Sequence, residues 1–454
     1  QMLDPSVKLP DILVQFTSLG DAVWETYGED GYFVDLTKYY DDTEGASKVF
    51  WDRLEESLTE EQIDYVTRTI TDGDTGAIYG VPTIETSTID KRKYQPWINQ
   101  TWLDKLGLAM PQNIDDLYNV LVAFNTKDPN GNGDPTDEIP LFGSQNSSNP
   151  AQVINWLINM YMYYNDGHLW QDYNGDGKLE HAQTQDKYRE ALQFVNKLYK
   201  EGLLTKMLYT ANSAEMKQIT TPSSGTALCG IFCGHLTIHC TMGNEVMYEY
   251  VPMPLWGYAV EGDLSCSLKT FITSDCAFPD EAFQLLMKLF SWEGSMRVRY
   301  GEYGVNWTDP DAGAKSDLGL DATYKMLSDL LTQQNTAKWA KIASCLNVYA
   351  EGETSQVDDT TDPWIKKRSE MHAESYKLFA DAEAKNNPEK VCPVIVTTEE
   401  EQTKTETVRT NVGGYASSMM TDFCTGKMDI NDDKVWNNYL AKLDEMGLDT
   451  HIDY

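Results

Sequence analysis

Asp128, Asn130 and Asn132 place side-chain oxygens at alternate positions of the stretch Asp128-Pro-Asn-Gly-Asn-Gly-Asp-Pro-Thr-Asp-Glu-Ile-Pro-Leu141. Gly131 and Gly133 permit tight winding, and Asp134, Asp137 and Glu138 add three carboxylates. Hard oxygen ligands at positions one, three and five with Gly at six are what a flexible calcium loop needs. The register departs from an EF-hand, because position twelve is Ile139 and the acidic pair arrives at ten and eleven. The expected ligands are therefore Asp128, Asn130, Asn132, Asp134, Asp137 and Glu138, holding calcium for structure rather than catalysis. The alternative is an Asn/Gly turn whose oxygens face water.

A second stretch, Asp172-Tyr-Asn-Gly-Asp-Gly-Lys-Leu-Glu180, repeats the D-x-N-x-D-G pattern. Its position twelve is Gln183, which cannot supply a bidentate carboxylate, so a hairpin turn on Gly175 and Gly177 is the favoured reading. His235 and His239 with Cys233 could bind zinc, but their spacing matches no zinc pattern, and buried small residues or an occasional disulfide are favoured for the cysteines. The carboxylates Glu55, Glu56, Glu60 and Glu61 read as a solvated helix face, not an acid–base pair. No GxSxG, HExxH, P-loop or strand-associated GxGxxG signature is present.

These residues need elements to position them. Residues 11 to 16 read as a buried parallel strand. Residues 51 to 70 carry helical spacing, with Trp51, Leu54, Leu58 and Ile63 on one side. A helix capped by Asn113, with Leu117, Leu121 and Phe124 inward, delivers the chain to the calcium loop. Another, capped by Thr184, is expected to bury Tyr188, Leu192, Val195 and Leu198 and to end at Gly202. Pro279 opens a further helix, and Asn411 to Thr425 and Val435 to Met446 read as a closing helical pair. Residues 308 to 360 read as loop-rich and acidic. With 454 residues, two domains are the prior expectation. The formal charge of -35 disfavours nucleic acid, anionic lipid and polyanionic substrates. No apolar run of about twenty residues is present to span a membrane.

A resemblance adds to this. Trp102-Leu-Asp-Lys-Leu-Gly-Leu108, Pro111-Gln-Asn-Ile-Asp-Asp-Leu117, Ala123 to Gly133 and Asp137-Glu-Ile-Pro-Leu141 resemble the extracellular solute-binding proteins (family 1) of carbohydrate ABC transporters, particularly the branch with the alginate-binding proteins. Leu9-Pro-Asp-Ile12, Tyr27 to Leu36, Ile78-Tyr-Gly-Val-Pro82, Leu198 to Leu204, Tyr300-Gly-Glu-Tyr-Gly-Val305, Gly426-Lys-Met-Asp429 and Met446-Gly-Leu448 agree in order along nearly the whole chain. The family's aromatic-Ile-Arg-x-Asp-Trp pattern becomes Trp97-Ile-Asn-Gln-Thr-Trp102, with Asn99 and Thr101 in place of the charged residues.

The resemblance implies an α/β, two-lobed periplasmic-binding-protein-like fold with a hinge and an inter-lobe ligand cleft. The expected division is residues 1–93 plus 266–330 for one lobe and 94–265 plus 331–454 for the other. It implies a lipid-anchored Cys and a strand, helix and strand ahead of Leu9, expected to be missing here, so that contact with the membrane would come only through that absent anchor. The implied function is a non-enzymatic, monomeric, extracellular or periplasmic component of an importer that captures an oligosaccharide and delivers it to permease subunits. Sugar recognition needs aromatic planes for ring faces and polar side chains for hydroxyls. Trp24, Trp256, Trp307 and Trp339 are the expected platforms, since they fall in loop-like, polar surroundings, and Trp307 stands where relatives place an aromatic. A carbohydrate-active enzyme, a binder of a non-sugar ligand such as a peptide, and a calcium-stabilised adhesin are the alternatives. The adhesin would call for strand-rich repeats, which are not found.

Overall fold

The computed structural model describes residues 8–14, 21–87, 93–147, 151–241, 243–260, 264–316, 320–327, 346–349, 354–356, 363–388 and 399–448. The chain divides into two compact units. One comprises Gln1–Ile89, Asp263–Gln356 and Val394–Thr405; the other comprises Asp90–Gly262, Val357–Pro393 and Glu406–Tyr454.

The first unit is built on a four-stranded sheet in the order Ile12–Leu13, Ser265–Ile272, Val81–Ser87, Leu346–Tyr349. Only the last pair is parallel. The expected buried parallel strand at 11 to 16 is thus a two-residue antiparallel edge strand, half-buried, pairing Ile12 with Ile272. The expected helix over 51 to 70 is two helices, Lys48–Ser57 and Glu60–Ile70. Leu58 is extended, and Thr59 opens the second helix with a reciprocal capping box to Gln62. That box satisfies two end-of-helix donors and outweighs continuation through Leu58. Phe50, Leu54, Val66 and Ile70 face Phe271, Phe283 and Phe290 in the core.

The second unit has a sheet ordered Ile139–Phe142, Cys229–Cys233, Pro96–Asn99, Tyr250–Pro252. Ile139–Phe142 runs parallel to Cys229–Cys233, and the other two pairings are antiparallel. Asn99, fully buried, caps the helix Gln100–Leu106 by accepting from Trp102 N at 2.9 Å, and its Nδ2 donates to Glu249 Oε2 at 2.8 Å. A neutral amide thereby both caps the helix and ties it to Glu249. The helix expected from Thr184 begins later, as Asp186–Lys200, because the Thr184 hydroxyl donates to His181 O at 2.8 Å within a short 3₁₀ turn. Its inward residues Tyr188, Leu192, Val195 and Leu198 are all buried, and Gly202 follows at φ +73°.

Two long helices differ from expectation. The first of the closing pair is Glu399–Thr425, longer at its N-terminus than predicted, and the second is Asp433–Glu445. Pro363–Asn386 has no counterpart among the expected elements. It buries little beyond Met371, Phe379 and Ala382, so its sequence carries only a faint apolar stripe.

Candidate functional site

The best-defined chemistry lies in the loop between the helix Ile114–Thr126 and the strand Ile139–Phe142. Asn113 caps that helix, its Oδ1 accepting from Asp116 N at 2.9 Å, and Leu117, Leu121 and Phe124 are buried as predicted. Phe124 meets Trp102 edge to face at 5.2 Å, which fixes where the helix ends. The strand is registered by pairing with Cys229–Cys233, so both ends of the loop are held.

Between them Asp128 sits at φ +45°, with Gly131 at +75° and Gly133 at +90°. Only a short polar residue and glycines take such left-handed backbone at small cost. The Asp128 carboxylate accepts from Gly131 N at 2.9 Å and Gly133 N at 3.0 Å. Asn130 Oδ1 accepts from Asn132 N at 2.9 Å, and Asn132 Oδ1 accepts from Asp134 N at 2.7 Å. The two Asn Nδ2 groups donate to the two Asp137 oxygens at 3.0 and 2.7 Å. Asp134 is tied to the Thr136 hydroxyl at 2.6 Å, which holds its carboxyl below the usual range. Lys105 Nζ donates to the Pro129 and Asn130 carbonyls at 3.2 and 3.3 Å, bracing the loop from outside.

Glu138 is the exception. It is buried at 8 % exposure, and neither carboxylate oxygen has a hydrogen-bond partner. Burial pushes its carboxyl up, and the nearby Asp137 and Asp128 charges push it further, against the pull of the Glu138 and Asn130 backbone amides. A buried carboxylate that feels other negative charges is costly to ionise unless a cation neutralises them. Among the described residues, no three His, Cys, Asp or Glu side chains converge as around a bound ion. The loop's remaining carboxylates are instead occupied by amides and a hydroxyl. The donor set fits a hard cation, with Glu138 as the group that most needs one.

The Asp172 loop is a hairpin joining Trp170–Gln171 to Glu180–His181, as favoured from its sequence. Asp172 accepts from the amides of Gly175, Asp176 and Gly177, which together hold its carboxyl below the usual range. Asn174 Nδ2 donates to Glu180 at 2.8 Å, so no carboxylate is stranded there. His239 is buried, its Nδ1 accepting from His235 N at 2.8 Å, and burial lowers its pKa to about 4. Cys229, Cys233, Cys240 and Cys424 are buried free thiols; burial pushes Cys240 and Cys424 to about 12. Such thiols are inert packing groups.

Among the expected aromatic platforms, Trp24 is buried in the first unit, tilted against Tyr79 at 6.4 Å. Trp307 is 3 % exposed, and its Nε1 donates to Gly301 O at 3.1 Å. Above it stands Tyr303, edge-on at 5.0 Å and 48 % exposed, with its hydroxyl donating to Asp309 at 2.7 Å. Tyr303 lies in the quoted Tyr300–Val305 motif, four residues from Trp307. Trp339 lies outside the described residues.

Trp256, half-buried in the second unit, borders a narrow cavity of about 10 Å³ with Trp156, Asn159 and Tyr258. Its Nε1 is buried without a partner. Tyr258 N donates to Asn159 O at 2.8 Å, and the ends of Asn386 and Asn387 bond Gly257 O and Ala259 O at 2.6 Å each. A Cβ on Gly257 would lie 2.2 Å from Asn159 O and 2.7 Å from Met160 Cα. Gly257→Ala is therefore expected to cost about 2–3 kcal/mol in a denaturant titration, since backbone must move. A second, open cavity of about 340 Å³ is lined, among the described residues, by Met110, Val251, Pro254, Met371 and Leu378 with Lys367, Glu370 and Glu374, none of them aromatic.

One polar cluster could not be assembled from the sequence. Lys93, 6 % exposed at its side chain, pairs with Asp166 at 3.1 Å and donates to Asn165 Oδ1 at 2.8 Å. Tyr94, at φ +58°, donates to Asp166 at 2.9 Å, and Asn155 Nδ2 reaches the other Asp166 oxygen at 3.2 Å. Burial, with the Asp166 charge second, pushes the Tyr94 hydroxyl well up. A bulky residue in left-handed backbone persists only where its surroundings enforce it.

No family model matches the chain. A fructooligosaccharide ABC transporter substrate-binding protein of Streptococcus pneumoniae, FusA, is 39 % identical over 137 residues, 29 % of this chain and 24 % of the relative. Lipoprotein LipO of Bacillus subtilis is 37 % identical over 124 residues, 26 % of this chain and 22 % of the relative. The matched stretches thus span about a quarter of the length of these relatives. An extracellular solute-binding protein of Bifidobacterium longum subsp. infantis aligns with a TM-score of 0.74 at 22 % identity, over 98 % of this chain and 86 % of that one. FusA in complex with kestose aligns at 0.71 and 21 % identity over the same shares, as does an EF-hand mutant of FusA with fructo-nystose. Alginate-binding AlgQ2 aligns at 0.65 and 19 % identity, over 98 % and 85 %. Over part of its sequence the chain is similar to substrate-binding proteins of ABC transporters, and over nearly its whole length it has the two-lobed α/β fold of these solved structures.

Proposed function

We propose that the chain is the extracellular substrate-binding component of an ABC importer, that its ligand is an oligosaccharide, and that it binds without cleaving. The observation that carries this reading is the 39 % identity to a fructooligosaccharide-binding relative, joined to a shared fold. The candidate sugar platforms are, in the first unit, exposed Tyr303 over the buried Trp307, with Trp24 and Trp339, and, in the second unit taken by itself, the half-buried Trp256. A permease pair is the partner, and a lipid tether on the outer face of the cell is supported by the lipoprotein relative. Among the described residues, no helix is long and apolar enough to cross a membrane.

Calcium belongs to the same reading. Asp128, Asn130, Asn132, Asp134, Asp137 and Glu138 would hold it, with Glu138 relieved of its unpaired charge. Bound there, the ion neutralises clustered carboxylates and ties helix to strand; it has no part in ligand chemistry.

The test is a thermal-shift screen of neutral and acidic oligosaccharides, kestose and nystose among them, with chromatography of the same mixtures. Ligand at about a hundred times its dissociation constant adds about 2.7 kcal/mol, a visible shift. One glycan class is expected to shift the transition with no new products. Cleavage products would make the protein an enzyme, and a flat panel from folded protein would point to a non-sugar ligand.

A further inference from the structure

The polar cluster around Asp166 stands at one end of the second unit's sheet. Tyr94 lies two residues before the strand Pro96–Asn99, and Gln145 three residues after the strand Ile139–Phe142. Pro96 pairs with Cys233 and Phe142 with Phe232, so Tyr94 and Gln145 share the end at which the parallel strands finish. In open α/β sheets ligands bind outside the carboxyl ends of the strands. Gln145 belongs to the cluster, its Nε2 donating to Asn155 Oδ1 at 3.3 Å. Tyr94 is held there at φ +58°, and enforced backbone of this kind gathers at ligand sites.

The cluster is fastened to aromatic surface of the same unit. Asn159 Oδ1 accepts from Tyr164 N at 3.0 Å and its Nδ2 donates to Tyr164 O at 2.8 Å, which fixes the stretch that carries Asp166. The Asn159 carbonyl accepts from Tyr258 N at 2.8 Å, and Lys93 N donates to Val260 O at 3.0 Å. The stretch from half-buried Trp256 to Val260 is thus tied to the cluster at two points. A carboxylate offers about four acceptor positions, and Lys93 Nζ, Tyr94 Oη and Asn155 Nδ2 take three of those on Asp166. The Asp166 side chain is 28 % exposed, against 6 % for Lys93. The charge that the cluster presents to solvent is therefore the negative one. It can accept from a sugar hydroxyl, and it repels a uronate carboxylate.

We infer that Asp166 accepts a hydrogen bond from a hydroxyl of the bound glycan and restricts the ligand to neutral sugars, with Trp256 beside it as the ring platform. The inference rests on the oligosaccharide reading above. Lys93, Tyr94 and Asn155 are positioning residues, which fix the direction of the acceptor position left on Asp166.

The thermal-shift panel on the wild type comes first. A flat panel removes the oligosaccharide reading and this inference with it, whereas shifts with acidic glycans alone overturn only the inference. Calorimetric titration with nystose and tri-galacturonate then compares the wild type with Asp166→Asn, which keeps a carbonyl acceptor for Lys93 and Tyr94 while removing the charge. The wild type is expected to prefer nystose, and the variant to lose about tenfold in nystose affinity together with most of that preference. A purely structural role would weaken both ligands in proportion, so an unchanged preference overturns the inference. Where the variant fails to fold, or tri-galacturonate binding stays below detection, crystals of the wild type with nystose decide. A sugar hydroxyl within hydrogen-bonding distance of the Asp166 carboxylate is expected, and a bound sugar that leaves Asp166 untouched overturns the inference.

Discussion

Calcium is expected to raise the melting temperature of the chain by several degrees, and Glu138→Gln is expected to remove the response while making the calcium-free protein more stable at neutral pH. Both halves follow from one stranded carboxylate. Without a cation, Glu138 ionises in a buried position beside Asp128 and Asp137, so its folded pKa lies above that of the unfolded chain. The folded state then binds the proton more tightly than the unfolded state. Stability from this group is present below the ordinary Glu value and is lost as pH rises through the window up to the folded pKa. Gln carries no charge and offers N–H groups to its acidic neighbours, so the neutral-pH penalty disappears. With calcium the order reverses, since the wild type gains about 2.7 kcal/mol at a hundred times its dissociation constant, while the variant has lost an anionic ligand. Melting curves of both proteins with EGTA and with excess calcium, at pH 5 and pH 7.5, check this. Equal calcium responses in the two proteins would sink the assignment.

Asp166→Ala is the substitution expected to damage the second unit most, by about 3 kcal/mol in a urea titration. It removes the ion-pair partner of the buried Lys93 ammonium and the acceptor of the Tyr94 hydroxyl, while Asn155 Nδ2 keeps Gln152 Oε1 at 3.0 Å as an acceptor. Breaking a buried pair in this way costs about 3–5 kcal/mol, and the lower end applies because the Asp166 side chain is 28 % exposed. Lys93→Met is expected to be milder, about 1–2 kcal/mol, since Asp166 keeps Tyr94 and Asn155 as donors and part of its hydration. The double variant should recover part of the Asp166→Ala loss, because the buried ammonium that lost its carboxylate is then absent as well. Equal costs for the two single substitutions would mean that the pair is only a surface bridge.

Short-range signals were readable from the sequence and long-range ones were not. The Asn113 cap, the apolar face of its helix and the Gly-rich winding from Asp128 to Gly133 are local, and the structure has them. Within the loop, spacing named Glu138 as one ligand among six. Its special status comes from burial against the sheet, which spacing does not encode. Thr184 failed as a cap because a hydroxyl has several nearby carbonyls to choose from, and the 3₁₀ turn offered His181 first. Trp307 drew attention through its loop-like surroundings, yet the ring lies inside and Tyr303 meets solvent, a difference set by a turn rather than by residue type. Lys93 and Asp166 are more than seventy positions apart and carry no mutual signal.

The order of strands in the first unit governs when that unit can form. Ser265–Ile272 lies between Ile12–Leu13 and Val81–Ser87 and is hydrogen-bonded to both. As the chain emerges from a ribosome or a translocation pore, Val81–Ser87 waits for 178 further residues and Ile12–Leu13 for 252 before their shared partner exists. Pairing across such separations is slow, and waiting strands expose unpaired edges. The segment from Asp90 to Gly262, by contrast, contains all four strands of its own sheet. The second unit therefore nucleates first, and an early stop in synthesis spares its sheet while leaving the first unit's strands without their central partner.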